Sequence, residues 1–295
     1  MRFIYKRSFL VTGCCLLLCL FWLPARAEVA KQQTAPKYGK YVNSMLVRTR
    51  TAATYPKGLK VFTLVGIYQD FDERRHPETG AMQDLPAGVS RQQATALLWG
   101  EIGITRQFQV GAAIPYINRR FEDRAAGIDD SVSGISDVKL YGKYQVLPES
   151  RLNPAIAVDG FLKLPTGDAD EGLGNDETDV TLGLAVSKRF TDISAHINPE
   201  YTFTGGDKSD IGLSADDRIN LNAGVMYHAT SRLVPMLEIN ALWWGDVGDR
   251  TEIGGGVLWF PLKNVSLKTA ISVPLDADMP WQADWIPWVK LAAWF

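Results

Sequence analysis

Two short groups of residues carry side chains with chemistry of their own. Ser194 and His196 lie two apart, and Asn198 and Glu200 continue the series. A serine, a histidine and a polar orienter are the parts of a nucleophilic hydrolase. On a strand this spacing puts all four side chains on one face, running parallel. A serine beside a histidine becomes a nucleophile only when a third group orients the base, and polar residues on such a face are equally the lining of a wet interior. The second group is GDADEGLGNDETD, residues 167–179, where Asp168, Asp170 and Asp176 are hard oxygen donors of the kind calcium takes. Its spacing lacks the terminal bidentate glutamate of an EF-hand loop. It reads as a solvated acidic loop meeting divalent cations among lipopolysaccharide phosphates. No catalytic residue, metal or cofactor is assigned from either group.

A third group is larger and sits on a regular pattern. In SDVKLYGKYQVL, from Ser136 to Leu147, Asp137, Lys139, Tyr141, Lys143 and Gln145 alternate with Val138, Leu140, Gly142, Tyr144 and Val146. Strict alternation marks a strand whose two faces meet different surroundings. Against lipid, a basic side chain at mid-strand costs about 2–4 kcal/mol, so the charged face must turn to an interior. By this parity the inward charges are Lys60, Glu101, Asp137, Lys139, Lys143, Asp159, Lys163, Asp179, Glu200, Arg218, Glu238, Glu252, Lys268 and Lys290. Of these, Lys139, Lys143, Asp159, Lys163, Glu200, Arg218, Glu238 and Lys268 are the candidate channel-lining residues. Acids and bases nearly match, so they either pair into a network that stiffens the wall or line a pore. Lys143 or Lys163 is expected to pair with Asp159 or Asp179 on adjacent strands. Phe62, Tyr68, Trp99, Tyr141, Phe161, Trp244 and Trp288 fall on the same inward parity and would narrow the passage.

The elements that position these residues recur along the chain. About twelve alternating runs span 58–70, 93–105, 108–120, 137–147, 155–166, 178–190, 193–204, 217–228, 232–244, 252–260, 265–274 and 285–295. Each is near the 9–11 residues of a tilted transmembrane strand. Short turns (105–107, 191–192, 230–231, 261–264) alternate with long polar loops (71–92, 121–136, 167–177, 205–216). That is the up-and-down meander of a closed all-β barrel in an outer membrane. Tyr144, Tyr227, Trp259 and Phe295 mark one end of the outward face, and Tyr201, Phe203, Trp243 and Trp285 the other. Two aromatic girdles suit the two interfaces. The last run, WIPWVKLAAWF, ends on Phe295, which resembles the C-terminal assembly signal of outer-membrane barrels. The expected partners are therefore the barrel assembly machinery, outer-membrane lipid and lipopolysaccharide, and small solutes.

The N-terminus supports that address. Arg2, Lys6 and Arg7 precede an apolar run from Phe9 to Leu23, and Ala25-Arg26-Ala27 offers an A-x-A cleavage site before Glu28. This is a secretory signal peptide over 1–27. Val11-Thr12-Gly13-Cys14 resembles a lipobox, but most of the apolar run lies beyond it. All three cysteines (Cys14, Cys15, Cys19) fall within the signal, so the mature chain has no disulfide or thiolate chemistry. Of 31 basic and 33 acidic residues, Arg2, Lys6, Arg7 and Arg26 leave with the signal, and 27 against 33 remain. An acidic exported chain is ill suited to nucleic acid. Residues 28–57 lack alternation and read as a periplasmic leader or partial plug before a barrel over 58–295.

Three consecutive pieces carry a family likeness: Gly134-Ile135-Ser136-Asp137 with Lys143-Tyr144, Leu164-Pro165-Thr166-Gly167 running into Leu173-Gly174-Asn175-Asp176-Glu177-Thr178-Asp179, and Leu184 to Phe190. Their order resembles the meta-pathway phenol-degradation family of outer-membrane transporters over about 130–206. Ser136 and Asn175 depart from the usual residues. The resemblance implies passage of small aromatic or apolar compounds through the outer membrane of a Gram-negative bacterium. The alternatives are a structural or adhesion-type barrel with a closed lumen, and an outer-membrane lipid hydrolase.

Overall fold

A computed structural model describes residues 47–76, 79, 81–206, 217–245 and 247–295. The expected signal peptide lies outside the described residues. In chain order the strands are β1 (Lys60–Phe71), β2 (Glu73–Arg75), β3 (Met82–Asp84), β4 (Val89–Gly103), β5 (Phe108–Asp123), β6 (Ile128–Ile135), β7 (Lys139–Leu147) and β8 (Ala155–Lys163). They continue as β9 (Asp179–Phe190), β10 (Ile193–Phe203), β11 (Arg218–Tyr227), β12 (Leu233–Trp244), β13 (Gly248–Leu262), β14 (Val265–Ala277), β15 (Trp281–Gln282) and β16 (Ile286–Trp294).

Thirteen of these strands form one antiparallel sheet, and the β4–β5 pairing closes it. Since β6 and β7 are two parts of one stave, the barrel has twelve staves. Closure is what a β-structure in lipid demands, because an open edge would leave backbone groups unsatisfied. The first and last strands meet in register, Val61 opposite Trp294 through Ile67 opposite Trp288. Lys60 N donates to the Phe295 carbonyl at 3.0 Å and Phe295 N to the Lys60 carbonyl at 3.1 Å.

The stave of β6 and β7 is broken at 136–138 for a side-chain reason. Asp137 Oδ1 accepts from the amides of Thr166 and Gly167 at 3.1 and 2.9 Å. Val138 N donates to Thr166 Oγ1 at 2.8 Å. The backbone leaves the ladder to bring that carboxylate under the 164–178 loop. The expected 121–136 loop is correspondingly a hairpin, β5 running to Asp123 and β6 returning from Ile128. The 71–92 and 275–284 loops also carry structure: β15, β2 and β3 form a separate three-stranded sheet at the extracellular mouth.

The outer face is apolar, with Leu98, Leu140, Val158, Leu182, Leu237, Ile271 and Leu291 all exposed. Opposite parity gives the inner face, where Asp137, Lys143, Asp159, Lys163, Asp179, Glu238, Lys268 and Lys290 are buried. One strand departs from the expected parity. On β1, Val61, Thr63 and Val65 turn inward, so Lys60, Phe62 and Tyr68 face outward, and Phe62 stacks on Phe295 at 5.8 Å. The reason is local. The periplasmic floor of the lumen is an apolar cluster of Val47, Tyr55, Val61, Met226, Val234, Met236, Leu258, Phe260, Ala270 and Trp294. Both faces of β1 are therefore apolar there, and alternation loses its meaning.

Phe295 supplies two closing hydrogen bonds and a ring for Phe62. Deleting it should lower the yield of folded barrel, read as heat-modifiable migration, far more than deleting a few residues after Glu28.

Candidate functional site: an occupied lumen

The inward charges do not chiefly pair with one another. Much of their bonding capacity is spent on residues 47–55, which run through the barrel interior without joining the sheet. The backbone of this segment is held by wall side chains. Glu238 accepts from the amides of Val47, Arg48 and Thr49 at 3.0–3.2 Å. Lys290 donates to the Val47 carbonyl at 2.8 Å and Lys143 to the Thr51 carbonyl at 3.0 Å. Asn198 both accepts from Arg50 N and donates to its carbonyl. Ser187 Oγ takes the Ala52 amide at 2.8 Å, and Gln109 Oε1 takes that of Tyr55 at 2.9 Å. Buried backbone groups need partners, and here side chains take the place of a neighbouring strand.

Two arginines anchor the segment. Arg50 Nε and Nη2 reach the two oxygens of Asp159 at 2.6 and 3.0 Å, a bidentate fork, and Nη1 pairs with Glu200. The guanidinium also lies 5.0 Å from the Phe161 ring centroid. Arg48 pairs with Glu252 at 3.0 Å and lies 5.2 Å from the Trp288 ring. Arg50 is 6% and Asp159 0% exposed, so water screens this pair little. Tyr55 donates its hydroxyl to Glu101 at 3.1 Å.

Beyond the segment, toward the outside, Trp99, Tyr141 and Phe161 form an aromatic cluster with centroids 4.8–5.8 Å apart. Trp99 Nε1 is buried without a hydrogen-bond partner. Asp137, Lys163, Asp179 and Arg218 run around the wall as a chain of ion pairs, 3.1, 3.5 and 2.8 Å in turn. Arg218 also lies 4.9 Å from the Trp244 ring. Lys139 faces the lumen and is exposed there. Lys268 is buried between Leu258 of β13 and Lys290 of β16 in the ladder.

The expected pairing is thus met by Lys163 with Asp179, while Asp159 goes to Arg50 and Lys143 to a carbonyl of the segment. All eight candidate lining residues are inward. Sequence reading missed Arg48, Arg50 and Gln109, which belong to no alternating set of charges. The signal available was the VRTRTA stretch itself, two arginines two apart before an acid-rich wall.

Ser194 and His196 belong to a hydrogen-bonded chain. Ser187 Oγ lies 2.8 Å from His196 Nδ1, His196 Nε2 3.1 Å from Ser194 Oγ, and Ser194 Oγ 3.2 Å from His228 Nε2. The Ala52 amide donates to Ser187 Oγ at one end of this chain. No carboxylate hydrogen-bonds either imidazole among the described residues. Both serines are buried beneath the segment, which is a structural use of these residues. In the acidic loop, the Asp168 carboxylate accepts from the amides of Asp170 and Glu171 at 3.0 and 3.2 Å. It acts there as a turn-former.

A closed antiparallel barrel, apolar outside and charged within, is an outer-membrane channel fold. The chain belongs to the family described as "Putative MetA-pathway of phenol degradation", whose profile matches residues 51–278. Among solved structures, an outer membrane channel from Pseudomonas putida F1 is similar at TM-score 0.70 and 13% identity, over 83% of this chain and 98% of that one. The Ralstonia pickettii toluene transporter TbuX aligns at TM-score 0.46 and 9% identity, over 82% of this chain and 90% of that one. No curated protein sequence matches the chain.

Two outcomes follow from the anchors. Arg50→Ala leaves Asp159 and Glu200 buried without their cation and should cost about 3 kcal/mol of stability, read by denaturant unfolding in detergent. Adding Asp159→Asn and Glu200→Gln to that variant should recover most of the loss. His228, in the turn after β11, is pushed down to about 4 by burial and by Arg189. It stays neutral in the fold while an unfolded histidine titrates near 6.5. Stability should therefore fall as pH drops from about 6.5 toward 4, and His228→Gln should flatten that part of the profile.

Proposed function

We propose that this protein is an outer-membrane channel for small aromatic or apolar solutes, and that residues 47–55 are its plug. The observation that carries the reading is the way the segment is held. Its backbone is bound by hydrogen bonds from seven scattered wall side chains (Glu238, Asn198, Lys290, Lys143, Gln145, Ser187 and Gln109) rather than by a strand ladder, so it can leave without opening the wall. The barrel closes through β1 and β16 independently of it. The family description and the Trp99–Tyr141–Phe161 cluster above the plug support the solute class, since flat apolar solutes stack on such rings. The closed-lumen alternative is supported by the burial of the Arg50 ion pairs. The two readings differ in one measurement.

Wild-type protein in a planar bilayer should conduct in rare, brief openings. Replacing residues 47–55 with a Gly-Ser stretch of equal length should give sustained conductance. With Arg48 and Arg50 gone, Glu101, Asp159, Glu200, Glu238 and Glu252 outweigh the remaining bases of the floor. The opened pore should then prefer cations, and adding Lys139→Gln, Lys143→Gln and Lys163→Gln should raise that preference in the reversal potential. A plug-replaced barrel that stays folded and never conducts would leave the structural reading standing instead.

A further inference from the structure

The lumen holds a second cluster, at the extracellular mouth and apart from the plug. Phe71, Arg91 and Phe121 are direct cross-strand partners on β1, β4 and β5. Trp99 sets the inward parity of β4, so the row faces the lumen. Trp281, from the mouth sheet, closes over it. The Arg91 guanidinium lies 4.5 Å from the Trp281 ring centroid and 5.5 Å from that of Phe71. Phe121 meets Trp281 edge-on at 6.2 Å. On β5 the next inward residue is Arg119, opposite Gln93 and diagonal to Arg91. Its Nε donates to Gln93 Oε1 at 2.8 Å and its Nη1 to the Gly172 carbonyl.

Arg91 differs from the other lumen arginines described above. Arg48, Arg50 and Arg218 each combine a ring with a carboxylate. Arg91 has the rings alone: no carboxylate, carbonyl or side-chain oxygen receives a hydrogen bond from it among the described residues. A guanidinium offers five donors in a planar fork. The guanidinium lies over the Trp281 ring, and its donors are free for a ligand. A second guanidinium, Arg119, lies on the diagonal, within about 7–8 Å, and Asp130 stands opposite Phe121 in the same row, on the far side of it from Arg91. A planar anion matches such a fork, and the rings beside it offer a flat apolar surface of aromatic size.

We propose that this row binds small aromatic carboxylates, the carboxylate bidentate on Arg91 and the ring against Trp281 and Phe121. A bidentate fork is what separates arginine from lysine in such recognition. The site rests on the channel reading only in that the mouth is open to solutes, and it does not require passage beyond the plug.

The test is equilibrium binding to the purified full-length barrel in detergent, by calorimetry, with benzoate, cyclohexanecarboxylate, benzyl alcohol and inorganic phosphate as probes. Benzoate should bind most tightly. Arg91→Gln should weaken it at least tenfold, Arg91→Lys should restore little, and Trp281→Leu should bring benzoate down to the level of cyclohexanecarboxylate. Trp281 lies in the mouth sheet outside the barrel ladder, so its variant remains informative if the Arg91 variants fold poorly. Unchanged benzoate affinity in Arg91→Gln overturns the proposal. So does phosphate binding as tightly as benzoate, which would make this a general anion site, or benzyl alcohol doing so, which would make the charge irrelevant. A protein that binds benzoate and never conducts would sink the channel reading and leave this site in place. A conducting protein without benzoate affinity would do the reverse.

Discussion

The constraint on which the rest depends is that hydrocarbon satisfies no backbone hydrogen bond. It forces the twelve staves into a ring, and it forces every mid-strand charge to the inside. The wall then has an interior crowded with carboxylates and ammonium groups that are themselves partly removed from water. A buried charge needs a partner and satisfied hydrogen bonds. The wall supplies some of these, as Lys163 does between Asp137 and Asp179. It does not supply them all. Asp159 and Glu200 are answered by Arg50, and the Glu238 carboxylate by three successive amides. The lumen is thus completed by a segment that the sheet excludes.

This explains the division between what could be read from the sequence and what could not. Twelve runs were legible because lipid imposes apolar residues at every second position, a local signal repeated over about ten residues each. Lys143 and Lys163 were legible as inward for the same reason. The alternation failed on β1, where the inner floor is as apolar as lipid and Val61 and Phe62 look alike to any periodicity. It failed again at 136–138, where a side chain, Asp137, rather than the ladder decides the backbone path. The path of residues 47–55 follows no local periodicity, and the two arginines of VRTRTA name no partner. Val47 meets Glu238 across 191 positions and Lys290 across 243. Such bonds exist only once the ring has closed.

Assembly order follows from the same geometry. The seats for Arg50 lie on β8 and β10, that for Val47 on β12, and that for Tyr55 on β4 and β5. With Lys143 of β7, Ser187 of β9, Glu252 of β13 and Lys290 of β16 the segment is held from nine strands around the ring, and it gains its full set of bonds only when those strands are in place. The hydrogen-bond ladder of the wall closes without the segment, although Asp159, Glu200 and Glu238 take their partners from it, whereas the segment's position depends wholly on the wall. A part that docks last on a preformed surface through separate polar contacts is also the part whose departure disturbs least.

The distribution of charge along the lumen axis sharpens this asymmetry. On the floor, the segment's arginines are matched against acids of the wall, and Arg50 with its carboxylates is shielded from water. At the mouth, Arg91 and Arg119 stand on the wall itself, Arg91 against the rings of Trp281 and Phe71 and Arg119 bonded to Gln93 and the Gly172 carbonyl. A small anion that reaches this row meets the Arg91 guanidinium, and meets the aromatic cluster of Trp99, Tyr141 and Phe161 next. Below it lies the Arg50 guanidinium, already stacked on Phe161 and committed to two carboxylates. An anion at that depth competes with Asp159 and Glu200 for the guanidinium they share, and each contact it gains is one the segment loses. The ions that hold the segment in the lumen are in this way the ones a charged solute would perturb.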